Sequence, residues 1–121
     1  MDESNRVNPV PSDYDGPVKL YTIECIPGAA PVEALGVVSG STVQAVHFGK
    51  DFIASLQHMA GGEITDYADM LARARAVATR RMAEQAEALG ADAVVGIRYA
   101  TSEVMEGASE VLAYGTALRL R

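Results

Sequence analysis

Apolar side chains at Tyr67, Met70, Leu71, Ala74, Val77, Ala78, Met82, Ala86 and Leu89 recur every three or four residues. That is the period of one buried helical face, and it predicts a long helix over Asp66–Leu89. Asp66 and Asp69 place negative charge in the first turn, where free N–H groups and the helix dipole favour it, and Thr65 or Asp66 can serve as N-cap. Gly90 supplies the left-handed conformation that stops the helix. At ~1.5 Å per residue the segment is about 36 Å long, enough to cross a small sheet from edge to edge.

After Gly90 the period changes from helical to extended. Ala91–Tyr99 is a short β-branched run that reads as a largely covered strand, and Met105-Glu106-Gly107 is a turn. Glu110–Leu120 alternates, with Leu112, Tyr114, Thr116 and Leu118 on one side and Val111, Ala113, Gly115 and Ala117 on the other. The small-residue side is where an alanine-rich helix can approach closely. Upstream, Val18–Ile26 reads as a first strand closed by the turn signal Pro27-Gly28. Pro31–Val46 reads as a second extended region that Gly36 and Gly40 divide by a bulge or bend. Asp51–Met59 reads as a short helix ending before Gly61-Gly62. The expected order is β-β-α-α-β-β, an α+β fold with a helical layer on a mainly antiparallel sheet.

On a helical wheel Arg81 and Gln85 fall inside the apolar stripe, whereas Arg73 and Arg80 fall on the polar side. A guanidinium taken out of water needs a partner. Arg81 therefore either reaches past the sheet edge into solvent or meets a second subunit, and Arg81 and Gln85 are candidate interface residues. Asp69 with Arg73 and Arg80 with Glu84 are spaced for ordinary surface ion pairs.

The chain has 121 residues and a net charge of −6. This length fits one domain with a core that needs no covalent staples. Residues 1–17 carry three prolines among polar residues and are expected to be a flexible leader before a single domain over 18–121. The acidic balance argues against a general nucleic-acid or anionic-membrane partner. No apolar run is long enough to span a membrane and no signal peptide is evident, so a cytoplasmic location is expected.

Candidate chemistry is sparse. Gly36–Thr42 has a faint look of a phosphate loop, but the lysine is missing, the glycine spacing is one short and β-type sequence follows where a helix is required. Cys25, His47 and His58 are the only soft or imidazole ligands, and no two share a zinc-site spacing. Cys25 sits in an apolar run, where a buried thiol behaves as a small hydrophobe. No cofactor is called for, and no catalytic set stands out. Glu103, Glu106 and Glu110 read more simply as a hairpin rim than as an acid–base pair.

Several separate runs nevertheless resemble one family. They are Gly36-Val37-Val38-Ser39-Gly40, Gly49-Lys50-Asp51-Phe52, Gly61-Gly62-Glu63 with Tyr67, Leu71 and Arg75, Leu89 through Arg98, and Glu110 through Ala117. Together they are similar to the YbjQ-like family, which carries a heavy-metal-binding label and no established function. The match is collinear from about Val18 to Leu120. The resemblance implies a dodecin-like two-layer subunit with an antiparallel sheet and one long helix, assembled into a closed ring, a pentamer. It supplies no catalytic residue.

Three function classes follow. The first is a homo-oligomeric binding or scaffolding module, whose partner is itself and whose small-molecule ligand is unidentified. The second is a heavy-metal-binding protein with ligands such as His47, His58 or Cys25 shared between subunits. The third is an enzyme whose site forms at a subunit interface.

Overall fold

A computed structural model describes residues 12–45 and 65–121. The expected short helix over Asp51–Met59 lies outside the described residues, as do His47 and His58. Within them the elements are β1 (Lys19–Leu20), β2 (Pro31–Ala45), α1 (Thr65–Ala88), β3 (Ala93–Met105) and β4 (Ala108–Leu120). They build an α+β arrangement in which α1 packs on one four-stranded mixed sheet of order β1-β3-β4-β2.

The helix is as long as its periodicity requires, 24 residues, and lies one residue upstream of the expected bounds. Its C-terminus closes by a Schellman motif, in which Ala91 N–H donates to the Ala86 carbonyl at 3.1 Å and Gly90 N–H to the Glu87 carbonyl at 3.0 Å. Gly90 takes φ +81°, which a side chain resists, so the chain turns sharply into β3. Leu89, expected on the buried face, is turned outward by this motif and exposed.

Strand β4 is central and pairs antiparallel with both β2 and β3. Its alternation is the expected one: Val111, Ala113, Gly115 and Ala117 are buried, while Leu112, Thr116 and Leu118 are half-buried and Tyr114 is exposed. The helix lies over the small-residue side. Ala74, Ala78, Met82 and Ala86 pack there against Val38, Val111 and Ala113 in one core cluster. Burying this set against the sheet stabilises the fold by the usual ~25 cal/mol per Å² of apolar surface removed from water.

Four expectations are corrected. Strand β1 is only Lys19–Leu20 and pairs parallel to β3, so the sheet is mixed. The chain beyond it stays beside β3 through Tyr21 N–H to the Val94 carbonyl (2.9 Å) and Gly96 N–H to the Ile23 carbonyl (2.8 Å), but regular pairing ends there. Gly96, at φ +65°, sits in a register shift of the β3–β4 pairing between Val95 and Arg98, and beyond it Ile97 N–H still donates to the Tyr21 carbonyl at 3.1 Å. Second, β2 is one continuous 15-residue strand. Gly36 (φ +119°) does mark a register shift, between Ala34 and Gly36, but Gly40 makes no bend. Third, β3 extends to Met105 because β4 pairs with it as far as Ala108, whereas periodicity ends at Tyr99. Fourth, neither Asp69–Arg73 nor Arg80–Glu84 closes as an ion pair; among the described residues the ion pair formed is Arg119 with Glu33. Exposed pairs of that kind gain too little to hold two long side chains in one geometry.

Candidate functional site

Among the described residues α1 covers one side of the sheet and no element covers the other. On β2 the inward residues Val38, Gly40 and Thr42 are buried, and Val37, Ser39, Ser41 and Val43 point outward and are exposed. The register sets Val37 beside Thr116, Ser39 beside Tyr114 and Ser41 beside Leu112. On the next strand Arg98 stands beside Tyr114, its guanidinium held by the carbonyls of Thr22 and Ile97, both at 2.8 Å. The result is a surface of aliphatic, hydroxyl and phenol groups with one anchored cation, in which Val37 is 76% exposed. It carries no nucleophile–base pair, and it can bind by apolar contact and hydroxyl hydrogen bonds.

At one end of this side the segment after β1 folds back and makes a recess of about 160 Å³ lined by Glu24, Cys25, Ile26, Ala29, Leu118 and Leu120. Cys25 is therefore not a buried strand residue. Its thiol is exposed, because the strand it was assigned to ends at Leu20 and the chain around it is a loop. Glu24 is its one neighbouring donor in the recess. Among the described residues no three His, Cys, Asp or Glu side chains are grouped to hold a metal ion. Two donors fall short of the four that a structural zinc site uses, so the described part of one chain does not fit a heavy-metal site.

Arg81 and Gln85 flank the outer edge of β2, which pairs with no other strand among the described residues. Arg81 Nη1 donates to the Ser41 carbonyl at 2.7 Å, and Gln85 Oε1 accepts from Ser39 N–H at 2.8 Å. Both side chains are exposed. The wheel placed them inside the stripe because it left out Thr79 and Ala83, which are fully buried and shift the centre of the buried face away from Arg81. Thr79 is satisfied there by the Arg75 carbonyl (2.7 Å) and the Tyr99 hydroxyl (2.8 Å).

Sequence reasoning also passed over Tyr14. Its hydroxyl donates to Glu87 Oε1 at 2.6 Å and accepts from Val18 N–H at 3.1 Å, tying the segment ahead of β1 to the last turn of α1. Partial burial, and then the hydrogen bond to Glu87, push its phenol up to about 12. A lone aromatic among Asp13, Asp15 and Pro17 was the available signal.

No helix among the described residues is long and apolar enough to cross a membrane.

Comparison with known proteins places these features in a family. A family model described as "Putative heavy-metal-binding" matches residues 18–121. A UPF0145 protein of Thermus thermophilus is 54% identical over 103 residues, spanning 85% of this chain and 90% of its own. A UPF0145 protein of Archaeoglobus fulgidus is 54% identical over 102 residues, 84% of this chain and 94% of its own. One from Vibrio campbellii is 52% identical over 99 residues, 82% and 95%. A crystal structure of a protein of unknown function from Pediococcus pentosaceus, of the DUF74 family, matches with a TM-score of 0.55 at 16% identity, covering 86% of this chain and 98% of that one. At that identity the likeness shows the fold alone. With half its residues shared with these relatives along the whole sheet-and-helix unit, the chain belongs to the YbjQ-like family of UPF0145 proteins.

Proposed function

We propose that this protein is the subunit of a homo-oligomeric binding or scaffolding module, a pentameric ring, whose ligand is held on the open side of the sheet or between subunits. The observation that carries the reading is that open side. A two-layer fold of this size leaves Val37, Val43 and Tyr114 exposed where a second layer would ordinarily cover them. Hydroxyls of Ser39, Ser41 and Thr116 interleave with them, which suits a ligand of mixed polarity better than a dry protein core. Repetition around an axis multiplies a modest surface into a site that one chain does not make. Arg81 and Gln85 stand at the rim of the subunit, where each holds one backbone group of β2.

The family's heavy-metal label is not carried into this reading, because the described residues of one chain supply only Cys25 and Glu24 in a common recess. Nor is an enzyme, since no described group pairs a nucleophile with a base.

Light scattering on the untagged protein at micromolar concentration tests the assembly. A mass near five times the 12.8 kDa chain is expected, and a mass near one chain overturns the proposal. Tyr114→Ala should keep that mass while weakening any ligand identified by co-purification.

A further inference from the structure

The outermost strand on one flank of the sheet is also the shortest. β1 has two residues and pairs only with Ala93 and Val94 of β3. The edge of β3 is closed there by four backbone bonds: Lys19 N–H to the Asp92 carbonyl (3.0 Å), Tyr21 N–H to the Val94 carbonyl (2.9 Å), Gly96 N–H to the Ile23 carbonyl (2.8 Å) and Ile97 N–H to the Tyr21 carbonyl (3.1 Å). So short a strand gains little from its own ladder, and how the chain is held at its entrance decides whether β1 stays on the sheet.

Side chains hold that entrance. Tyr14 packs against the core cluster, and its hydroxyl joins Glu87 in the last turn of α1 to the N–H of Val18, the residue just ahead of β1. The Tyr14 N–H donates to Ser12 Oγ at 2.8 Å, which fixes the turn before it. Gly16 completes the fit. A Cβ there would fall on the Tyr14 ring and hydroxyl and lie 2.6 Å from Glu87 Oε1, so the chain passes this contact only as glycine. Tyr14 and Gly16 both precede residues 18–121, the stretch that the family model matches, so the contact is made by chain outside that unit.

We propose that residues 12–17 are a clasp that governs whether β1 stays on the sheet. Shut, the clasp seats Tyr14 on Glu87, keeps Val18 and Leu20 in the core at 0% and 1% exposure, and lets β1 seal the edge of β3. Open, with Tyr14 lifted from Glu87, β1 peels away and uncovers the backbone groups from Asp92 to Ile97, while α1, β2 and β4 keep their packing. The physical basis is unequal local stability: β1 has two residues and one neighbour, whereas β4 has 13 residues and a neighbour on each side. Clasp and β1 therefore open as one unit at a lower free energy than the rest of the sheet.

Amide hydrogen exchange on the full chain reads the two states residue by residue. In Tyr14→Ala the amides of Lys19, Tyr21, Gly96 and Ile97 should exchange about tenfold faster or more, because two hydrogen bonds and the ring contact are lost together, while those of Ala78 and Met82 in α1 keep their wild-type rates. Gly16→Ala should give the same pattern with the tyrosine still in the chain, because its Cβ takes the space that Tyr14 and Glu87 share. Glu87→Gln, which retains an acceptor, should stay close to wild type. Unchanged exchange at Lys19, Tyr21 and Ile97 in folded Tyr14→Ala overturns the proposal. An equal rise at Ala78 and Met82 overturns it too, since β1 would then open only with the whole fold. Should Tyr14→Ala fail to fold, Tyr14→Phe, which keeps the ring and removes only the hydroxyl, must still speed exchange at Lys19 and Tyr21 for the proposal to stand.

Discussion

Gly40 lies directly beneath Met82. A Cβ on this glycine would fall on the backbone of α1, far inside contact distance of the Met82 nitrogen and the Ala78 carbonyl and 2.8 Å from the Arg81 carbonyl carbon. The helix backbone therefore rests on the strand backbone, and this contact fixes how close α1 comes to the sheet. It also fixes where Arg81 and Gln85 reach over the β2 edge.

Gly40→Ala should accordingly destabilise the fold although alanine suits a strand no worse than glycine. Overpacking of this kind costs about 1–3 kcal/mol, and here the obstacle is backbone that cannot swing aside. Chemical denaturation of the variant against wild type is the measurement. An unchanged midpoint would mean that helix and strand are not in contact there.

Gln85→Ala removes the acceptor for Ser39 N–H on the outer edge of β2. Because water reaches this site, the expected loss is about 0.5–1.5 kcal/mol. Gln85→Glu retains an oxygen at the same reach and should be close to neutral. If both substitutions cost the same, the hydrogen bond is not what Gln85 contributes.

The Tyr14–Glu87 contact makes stability depend on alkaline pH. The folded state raises the phenol from its ordinary 10 to about 12, so over that interval the folded chain holds a proton that the unfolded chain has released. Stability from this group is complete below pH ~10 and falls as pH rises toward 12. Unfolding midpoints measured from pH 8 to 11.5 should decline more steeply for wild type than for Tyr14→Phe. Parallel profiles would show that Tyr14 does not hold the segment before β1.

Elemental analysis of untagged protein should find no stoichiometric zinc, copper or nickel. The described residues bring two donors together at Cys25 and Glu24, and tight sites for these metals need more. One metal per chain, abolished by His47→Ala or His58→Ala, would overturn this. One per five chains would place a histidine on the symmetry axis.

A thermal comparison of Arg81→Ala with Gln85→Ala should show similar small losses, since each side chain caps one backbone group of β2. A much larger loss for Arg81, accompanied by a fall in native mass, would assign it chiefly to the contact between subunits.

Local rules in the sequence were enough to determine the helix, its glycine stop and the two-sided character of β4. Each of these depends on residues a few positions apart: apolar side chains at helical spacing, Gly90 at a position of positive φ, and small residues alternating with Leu112, Tyr114 and Thr116. Partners distant in the chain decided the rest. Gly36 and Gly40 look alike in sequence, and only tertiary packing makes the first a bulge and the second the seat of a helix. The apolar run around Cys25 points to burial, but its exposure follows from β1 ending at Leu20, which only the pairing with β3 shows. Arg81 was a misfit on the wheel until the buried face was found to extend to Thr79 and Ala83. A helical wheel orders positions around an axis, whereas the sheet lying against that axis decides which arc of it leaves water.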